Sequence, residues 1–290
     1  MAPETCIYYG TFAPGLEGTV AEILGERFPG IAIPLRLSGA LAFKSPVSYD
    51  RLNLPCFNNV FRLIDTAADM NSAENSRPEQ TLTAFARRTL GWGAERLVFS
   101  GPGREPESKK AQGRAAGFRV IFSLENKLVA VDEELRRMAE NRLAALSGLR
   151  VNRGRPGVEF WFLLRREGAF FLQRLSRHRP WDKLLHPGEL PPPLAWMLCR
   201  LSNPGPGQRV ADPFCGYGSI PAARLRHFPP AEFFASDMDK GVLKIAQAKF
   251  QGKPQHRCHF ACIDAGELPR LIPPASLDSI ITDPPWGLYQ

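Results

Sequence analysis

The order of apolar segments after Pro193 constrains the fold more tightly than any other feature of this chain. A short apolar stretch, Arg209 to Asp212, runs into a glycine turn and a helix-like stretch from Pro221 to His227. Strand-like Glu232 to Ser236 follows, then helix-like Lys240 to Phe250, then strand-like His259 to Ile263 and Ser279 to Thr282. Short strands that alternate with helices across brief connections form a parallel, doubly wound sheet with helices on its faces. The expected fold class is therefore α/β, with a helix from Leu194 to Leu201 leading into the sheet.

Upstream the pattern is different. The tract from Arg174 to Pro193 carries Pro180, Pro187 and three consecutive prolines, which marks a domain boundary. Before it, Cys6 to Tyr9 reads as a strand, and Thr19 to Phe28 places Val20, Ile23, Leu24 and Phe28 on one helical face. Ile31 to Leu37 and Gly39 to Phe43 read as strands around a turn at Ser38-Gly39. Thr81 to Leu90 reads as a helix, Arg96 to Phe99 as a strand and Gly101 to Glu107 as a loop. Phe118 to Ser123 is β-like, and Val131 to Leu146 is a helix with Asp132, Glu133 and Glu134 in its first turn and Gly148 at its end. Val158 to Leu164 and Ala169 to Leu175 flank Arg166-Glu167-Gly168 and read as a hairpin. Within it, strand alternation turns part of the run Phe160, Trp161 and Phe162 toward a core. Three units are expected: α+β units over 1–65 and 66–180, and the parallel α/β unit over 181–290.

Charge is informative once located. Of the 37 Lys and Arg and 29 Asp and Glu, 17 and 9 fall between Ser100 and Pro180, which leaves 20 of each elsewhere. The net charge of +8 thus comes from one central stretch, the footprint expected of a surface that meets a phosphate backbone. A solvated basic face with no ligand would give the same count. No run of about 18 apolar residues is present to span a bilayer. The segment from Met1 to Tyr9 lacks the basic start and apolar core of a secretory leader, so a cytoplasmic location is expected. The six cysteines then read as reduced thiols.

Four acidic positions carry the chemistry. Arg209 to Pro221 reads RVADPFCGYGSIP: a strand ends at Asp212, and Pro213, Cys215, Gly216 and Gly218 make a tight turn into a helix N-terminus. A dinucleotide fingerprint would need a third glycine that this turn lacks. Asp237 ends the next strand, placed to accept hydrogen bonds from the two ribose hydroxyls of an adenosine-type cofactor. Asp239 can simply cap the helix from Lys240. Asp264 follows the third strand, where it can reach an adenine edge or serve the loop it begins. Ser279 to Gly287 reads SIITDPPWG, a strand running into Asp283, Pro284, Pro285 and Trp286. The prolines stiffen this loop and leave its carbonyls as acceptors, Asp283 adds a charged acceptor, and Trp286 a flat surface for a base. Two acceptors suit an exocyclic base amine whose lone pair attacks a sulfonium methyl, a reaction governed mainly by alignment. His256, Cys258, His259 and Cys262 lie close in sequence, but strand alternation and the absence of a second ligand pair argue against a metal. Cys215 has no evident base partner and reads as small-residue packing under the cofactor.

The ordered set DPFCGYG, Asp237, Asp264 and DPPW resembles class I S-adenosyl-L-methionine-dependent methyltransferases that act on exocyclic amines. The run LHPGELPPPLAWMLCRLSNPGPGQRVADPFCGYGSIP is similar to the start of the catalytic domain in RNA guanine-N2 methyltransferases. ALSGLRVNRGRPGVEFWFLLRREGAFFLQRLSRH resembles the end of a THUMP domain, and YYGTFAPGLEGTVAEIL the ferredoxin-like unit that precedes it in that family. The resemblance covers nearly the whole chain. It implies a Rossmann-like methyltransferase domain preceded by ferredoxin-like and THUMP-like α+β domains, with S-adenosyl-L-methionine as cofactor and tRNA as partner of the basic 100–180 region. It implies that Asp212, Gly216 and Gly218 shape the cofactor turn, Asp237 holds the ribose, Asp264 the adenine, and Asp283, Pro284 and Trp286 the target base. In that family the sheet continues with three further strands, whereas only Leu288, Tyr289 and Gln290 follow Gly287 here, so the catalytic domain is expected to be C-terminally truncated. Two other readings stay open: RNA binding without catalysis, and methylation of an rRNA guanine N2 or an adenine N6.

Overall fold

The computed structural model describes residues 5–67, 77–91, 117–176, 184–250 and 257–285. Contacts divide the chain into two compact units, one of Met1–Asn53 with Asn59–His178, the other of Leu54–Asn58 with Arg179–Gln290. The expected strand at Arg96 to Phe99 and loop at Gly101 to Glu107 lie outside the described residues.

The first unit is built on one sheet. Strands β1 (Cys6–Thr11), β2 (Leu35–Leu37), β3 (Ala40–Ser45), β4 (Asn59–Ala67), β5 (Phe118–Leu124), β6 (Lys127–Leu128), β7 (Val158–Arg165) and β8 (Gly168–Arg174) take the order β2-β3-β1-β4-β8-β7-β5-β6. β4 pairs antiparallel with β1 on one side and β8 on the other, so the sheet runs unbroken past residue 65. β5 and β7 are parallel and are joined through helix α4 (Glu133–Ser147), a βαβ crossover. The remaining helices are α1 (Glu17–Arg27), the single turn α2 (Tyr49–Leu52) and α3 (Pro78–Gly91).

Alternation along β7 and β8 assigns their residues to two cores. Phe160, Phe162, Leu164, Ala169 and Phe171 pack under α3 and α4, while Leu163, Phe170 and Leu172 join Tyr9 and Phe61 on the opposite face. On the first face Phe162 stacks on Phe171 at 4.5 Å and takes the edge of Phe85 from α3. On the second, Trp161 is half-buried and donates its indole N–H to Glu159 at 3.1 Å. The sheet is curled: buried Arg165, from β7, donates to the Tyr9 hydroxyl of β1 at 3.3 Å and to the Ser38 carbonyl at 2.6 Å.

Several arginines counted in the basic surplus pair with carboxylates inside this unit. Glu159 receives Arg119 at 2.5 Å and Arg174 at 3.2 Å, and Glu140 receives a two-pronged bond from Arg153. Burial works to raise the Glu159 carboxyl, but the two guanidinium groups outweigh it and hold it below the ordinary range.

The second unit holds helix α5 (Pro192–Leu201), strand β9 (Arg209–Asp212), helix α6 (Ser219–His227), β10 (Glu232–Asp237), α7 (Lys240–Ala248), β11 (Cys258–Cys262), a 3₁₀ helix (Ala265–Arg270) and β12 (Ser279–Ile280). The strands are all parallel, as the alternation predicts, and their order β11-β10-β9-β12 makes a Rossmann-like half-sheet. Ala195 and Cys199 of α5, Ile220 and Ala223 of α6 and Leu243 of α7 pack on Val210, Phe233, Ala235 and Cys258. Among the described residues no helix is long and apolar enough to cross a membrane.

One contact in the first unit admits only glycine. A Cβ on Gly117 would lie 2.5 Å from the Asn152 Cβ and 2.8 Å from the Arg150 carbonyl oxygen, because 150–152 runs beside the start of β5. Gly117→Ala is expected to destabilise this unit by about 1–3 kcal/mol through overpacking. Urea unfolding measures it, and an unchanged midpoint would contradict the close approach.

Candidate functional site

An open parallel sheet leaves a crevice at the carboxyl ends of its strands, where the strand order reverses. Here the reversal falls between β9 and β12. Four carboxylates stand along that edge: Asp264 beyond β11, Asp237 ending β10, Asp212 ending β9 and Asp283 beyond β12. Residues far apart in sequence thus share one rim.

Asp212 lies deepest, 1% exposed at the end of the apolar Val210-Ala211 run. Its Oδ1 accepts from the Phe214 N–H at 3.2 Å and from the Thr282 hydroxyl at 2.8 Å. Its Oδ2 is buried and has no partner among the described residues. Burial pushes this carboxyl up to about 7 against the pull of those two hydrogen bonds, and the nearby Asp237 and Asp283 add to the rise.

The glycine turn is tied to β10 at two points. The Cys215 N–H donates to the Ser236 carbonyl at 2.9 Å, and the Gly216 N–H to Asp237 Oδ2 at 2.9 Å. The other Asp237 oxygen accepts from the Asp239 N–H at 2.9 Å. Gly218 has φ 80°, and a Cβ there would sit 3.1 Å from the Ala246 Cβ, so the turn needs glycine at this position for conformation and for space. Pro213 is half-buried in the same turn, and burial drives the Cys215 thiol far above its ordinary range.

Asp239 caps α7, accepting from Gly241 and Val242 at 2.7 and 3.0 Å. Asp264 is exposed and caps the 3₁₀ helix, accepting from the Gly266 N–H at 2.7 Å. Asp283 is half-buried, and Pro284 and Pro285 are exposed; Trp286 lies outside the described residues. Among the described residues no group of three or more His, Cys, Asp or Glu could hold a metal ion. Cys258 faces the core, whereas His259 points to Glu232 at 3.5 Å; His256 lies outside the described residues.

Two features were not singled out from the sequence. Thr282 bridges β12 to Asp212; its only signal is a hydroxyl at a strand end immediately before Asp283. A strap formed by His186 to Glu189 also crosses the turn: His186 stacks on Tyr217 at 4.4 Å, and half-buried Glu189 pairs with Lys249 and accepts from Ser219 at 3.5 Å. Burial works to raise Glu189, but Lys249 and the His186 N–H outweigh it and hold its carboxyl low. In sequence Glu189 is one acid in a proline-rich tract, with nothing to mark Lys249 as its partner.

The arrangement offers a deep, partner-free carboxylate oxygen beside a close-approach turn, with a stiff acceptor-rich loop bonded next to it. Residues 179–289 match the family described as UPF0020: RMKL-like, methyltransferase domain. The chain is similar to the tRNA (guanine(6)-N2)-methyltransferase of Thermus thermophilus, at 32% identity over 178 residues, 60% of this chain and 52% of that protein. It is also similar to the tRNA (guanine(10)-N2)-dimethyltransferase of Methanothermobacter thermautotrophicus, at 26% identity over 49% of this chain and 44% of that one. The chain thus spans about half the length of the curated relatives it matches. The crystal structure of TrmN from Thermus thermophilus superposes with a TM-score of 0.70 at 26% identity, covering 98% of this chain and 80% of that one.

Asp212 makes stability depend on pH in a defined direction. Between its ordinary 3.8 and about 7, the unfolded chain ionises this carboxyl while the folded chain keeps it protonated. Rising pH therefore weakens folding across that window and has no further effect through Asp212 above it. Asp212→Asn keeps an acceptor for Thr282 and Phe214 and removes that dependence. The melting temperature of the variant is expected to gain on the wild type as pH rises from 4.5 to 7.5; a constant difference would contradict the buried carboxyl.

Proposed function

We propose that this chain binds S-adenosyl-L-methionine at the acidic rim and directs its methyl group to an exocyclic amine of a base in structured RNA, guanine N2 of tRNA. The observation that carries the reading is the buried Asp212 Oδ2 without a partner, hydrogen-bonded through its sister oxygen to the residue preceding Asp283. A buried acceptor in that state calls for a donor, best a cation. The rim also discriminates by charge: Asp237 and Asp283, joined by Asp212 when it gives up its proton, attract a cationic ligand, whereas the pyrophosphate of a dinucleotide would meet like charge.

When bound, the cofactor supplies a methyl group activated by positive sulfur. Asp212 would receive its cationic end, and Asp237 would accept from the ribose hydroxyls with the lone pairs that Gly216 and Asp239 leave open. Asp264 would meet the adenine edge. Pro213, Cys215, Gly216 and Gly218 let the backbone pass close beneath the ligand. On the other side, Asp283 and the carbonyls of Pro284 and Pro285 accept the two amine N–H bonds, and Trp286 stacks on the base. Held by acceptors alone, the amine nitrogen would keep its lone pair free, and the Asp283 carboxylate would take up the proton that the nitrogen loses. Rate then comes mainly from alignment of nucleophile, methyl and leaving sulfur.

For the partner, the reading rests on the basic 100–180 region, taken as a THUMP-like unit over 66–180 behind a ferredoxin-like unit over 1–65. Lys127, Arg150 and Arg155 are exposed there, while Arg104, Lys109, Lys110, Arg114, Arg177 and Arg179 of the same surplus lie outside the described residues. The names of the two tRNA methyltransferases it resembles support the choice of tRNA and of guanine N2.

Labelled methyl transfer to an unmodified tRNA transcript, followed by digestion to nucleosides, is expected to give N2-methylguanosine. Label in adenosine, or none, would overturn the assignment. Asp283→Ala is expected to lower turnover by at least about tenfold with cofactor affinity retained, as for a contact made only with the reacting amine. Asp237→Ala is expected to weaken cofactor affinity by about 1–3 kcal/mol, the range for hydrogen bonds to a charged acceptor. Titration calorimetry reads this, and an unchanged Kd would remove the ribose role.

A further inference from the structure

We propose that Thr282 is a positioning residue that couples the two halves of the site, its hydroxyl holding the cofactor-side carboxylate Asp212 and the base-side carboxylate Asp283 at a fixed spacing. The inference rests on the methyl-transfer reading and goes beyond it in assigning a role to a residue that touches neither cofactor nor base.

Sheet pairing continues one residue past β12, where the Ile281 N–H donates to the Ala211 carbonyl at 2.9 Å. Beyond that point the loop makes no backbone hydrogen bond among the described residues, and Pro284 and Pro285 have no N–H to give. The Thr282 hydroxyl supplies the next anchor, 2.8 Å from Asp212 Oδ1. Among the described residues it is the side-chain hydrogen bond that joins this loop to the glycine turn. A β-branched side chain holds that hydroxyl in a narrow range of χ1, so the anchor is stiff.

The same bond acts in the other direction. With Thr282 and the Phe214 N–H both on Oδ1, the Asp212 carboxylate is oriented and Oδ2 is left as the oxygen without a partner. Removing the hydroxyl leaves Oδ1 with one donor and lets the carboxylate rotate to share it. It also removes a hydrogen bond that favours the ionised form, so Asp212 holds its proton to higher pH. The other titratable groups acting on Asp212 are Asp237 from β10, Asp283 in its own loop, Cys215 in the glycine turn and Cys199 of α5. Among the described residues the hydrogen bond of the Thr282 hydroxyl goes to Asp212 and to none of these groups, so a change confined to that hydroxyl reports on Asp212.

The test is titration calorimetry of the full chain with S-adenosyl-L-methionine between pH 5.5 and 8, for the wild type, Thr282→Val and Thr282→Ser. Valine keeps the shape and removes the hydroxyl; serine keeps the hydroxyl. Wild type and Thr282→Ser are expected to share one pH midpoint for binding. In Thr282→Val that midpoint is expected to move up, with affinity at pH 6.5 lowered several-fold and methyl transfer at saturating cofactor also reduced. A merely structural role would lower the melting temperature of the valine variant without moving the midpoint. A valine variant that binds with the wild-type midpoint and turns over at the wild-type rate would overturn the coupling. So would a serine variant that loses as much as valine, a result that decides the matter even if valine does not fold. Absence of binding by the wild type at every pH would overturn the methyl-transfer reading itself, and the coupling with it.

Discussion

The hydrogen bond from the Thr282 hydroxyl to Asp212 joins two turns that lie 70 residues apart in sequence. It does so at the edge where a parallel sheet reverses its strand order, so the fold delivers both turns to one place before any side chain acts. What the side chains add is a conflict. Asp212 is a carboxylate in an apolar setting, with two donors on one oxygen and none on the other. Such a group carries an unmet need for positive charge, and burial at this point makes sense as preparation for a ligand that brings one.

The rest of the second unit keeps that conflict in register. The glycine turn cannot drift from β10, because Cys215 and Gly216 are bonded to the end of that strand through a carbonyl and a carboxylate. Gly218 sits against Ala246, so the glycine turn approaches α7 as closely as a missing side chain allows. From outside, the Glu189–Lys249 pair and the His186–Tyr217 stack fasten the segment before α5 across the same turn. The two chemical tasks in the proposed reaction, holding a cationic donor and presenting an amine, are therefore performed by adjoining strand ends, which is where alignment is easiest to maintain.

Much of this was legible in the sequence because it depends on local pattern. Alternation of apolar strands and helices after Pro193 predicts that the strands run parallel, and the four acids mark the strand ends. The departures have physical causes. Asn59–Ala67 carries no strand-like alternation because its register shifts between Leu63 and Asp65, which breaks the two-residue period. The strand expected over Ile31 to Leu37 is confined to Leu35–Leu37; Pro34 has no N–H for a ladder. Asp132 serves as the N-cap of α4 through Leu135 rather than as a residue of its first turn. The Asp212–Thr282 bond and the Glu189–Lys249 pair were beyond reach for another reason: each joins residues whose proximity is created by the sheet and leaves no periodic trace.

The central claim is that a protonated, partner-starved Asp212 becomes the counter-ion of a cationic methyl donor. Calorimetry of S-adenosyl-L-methionine binding at pH 6, repeated in buffers of different ionisation enthalpy, counts the protons exchanged on binding. With a carboxyl that titrates at about 7 in the free protein, the wild type is predicted to release close to one proton per cofactor bound and Asp212→Asn none. Binding by the wild type without proton release, or with the same release in the variant, would contradict the account.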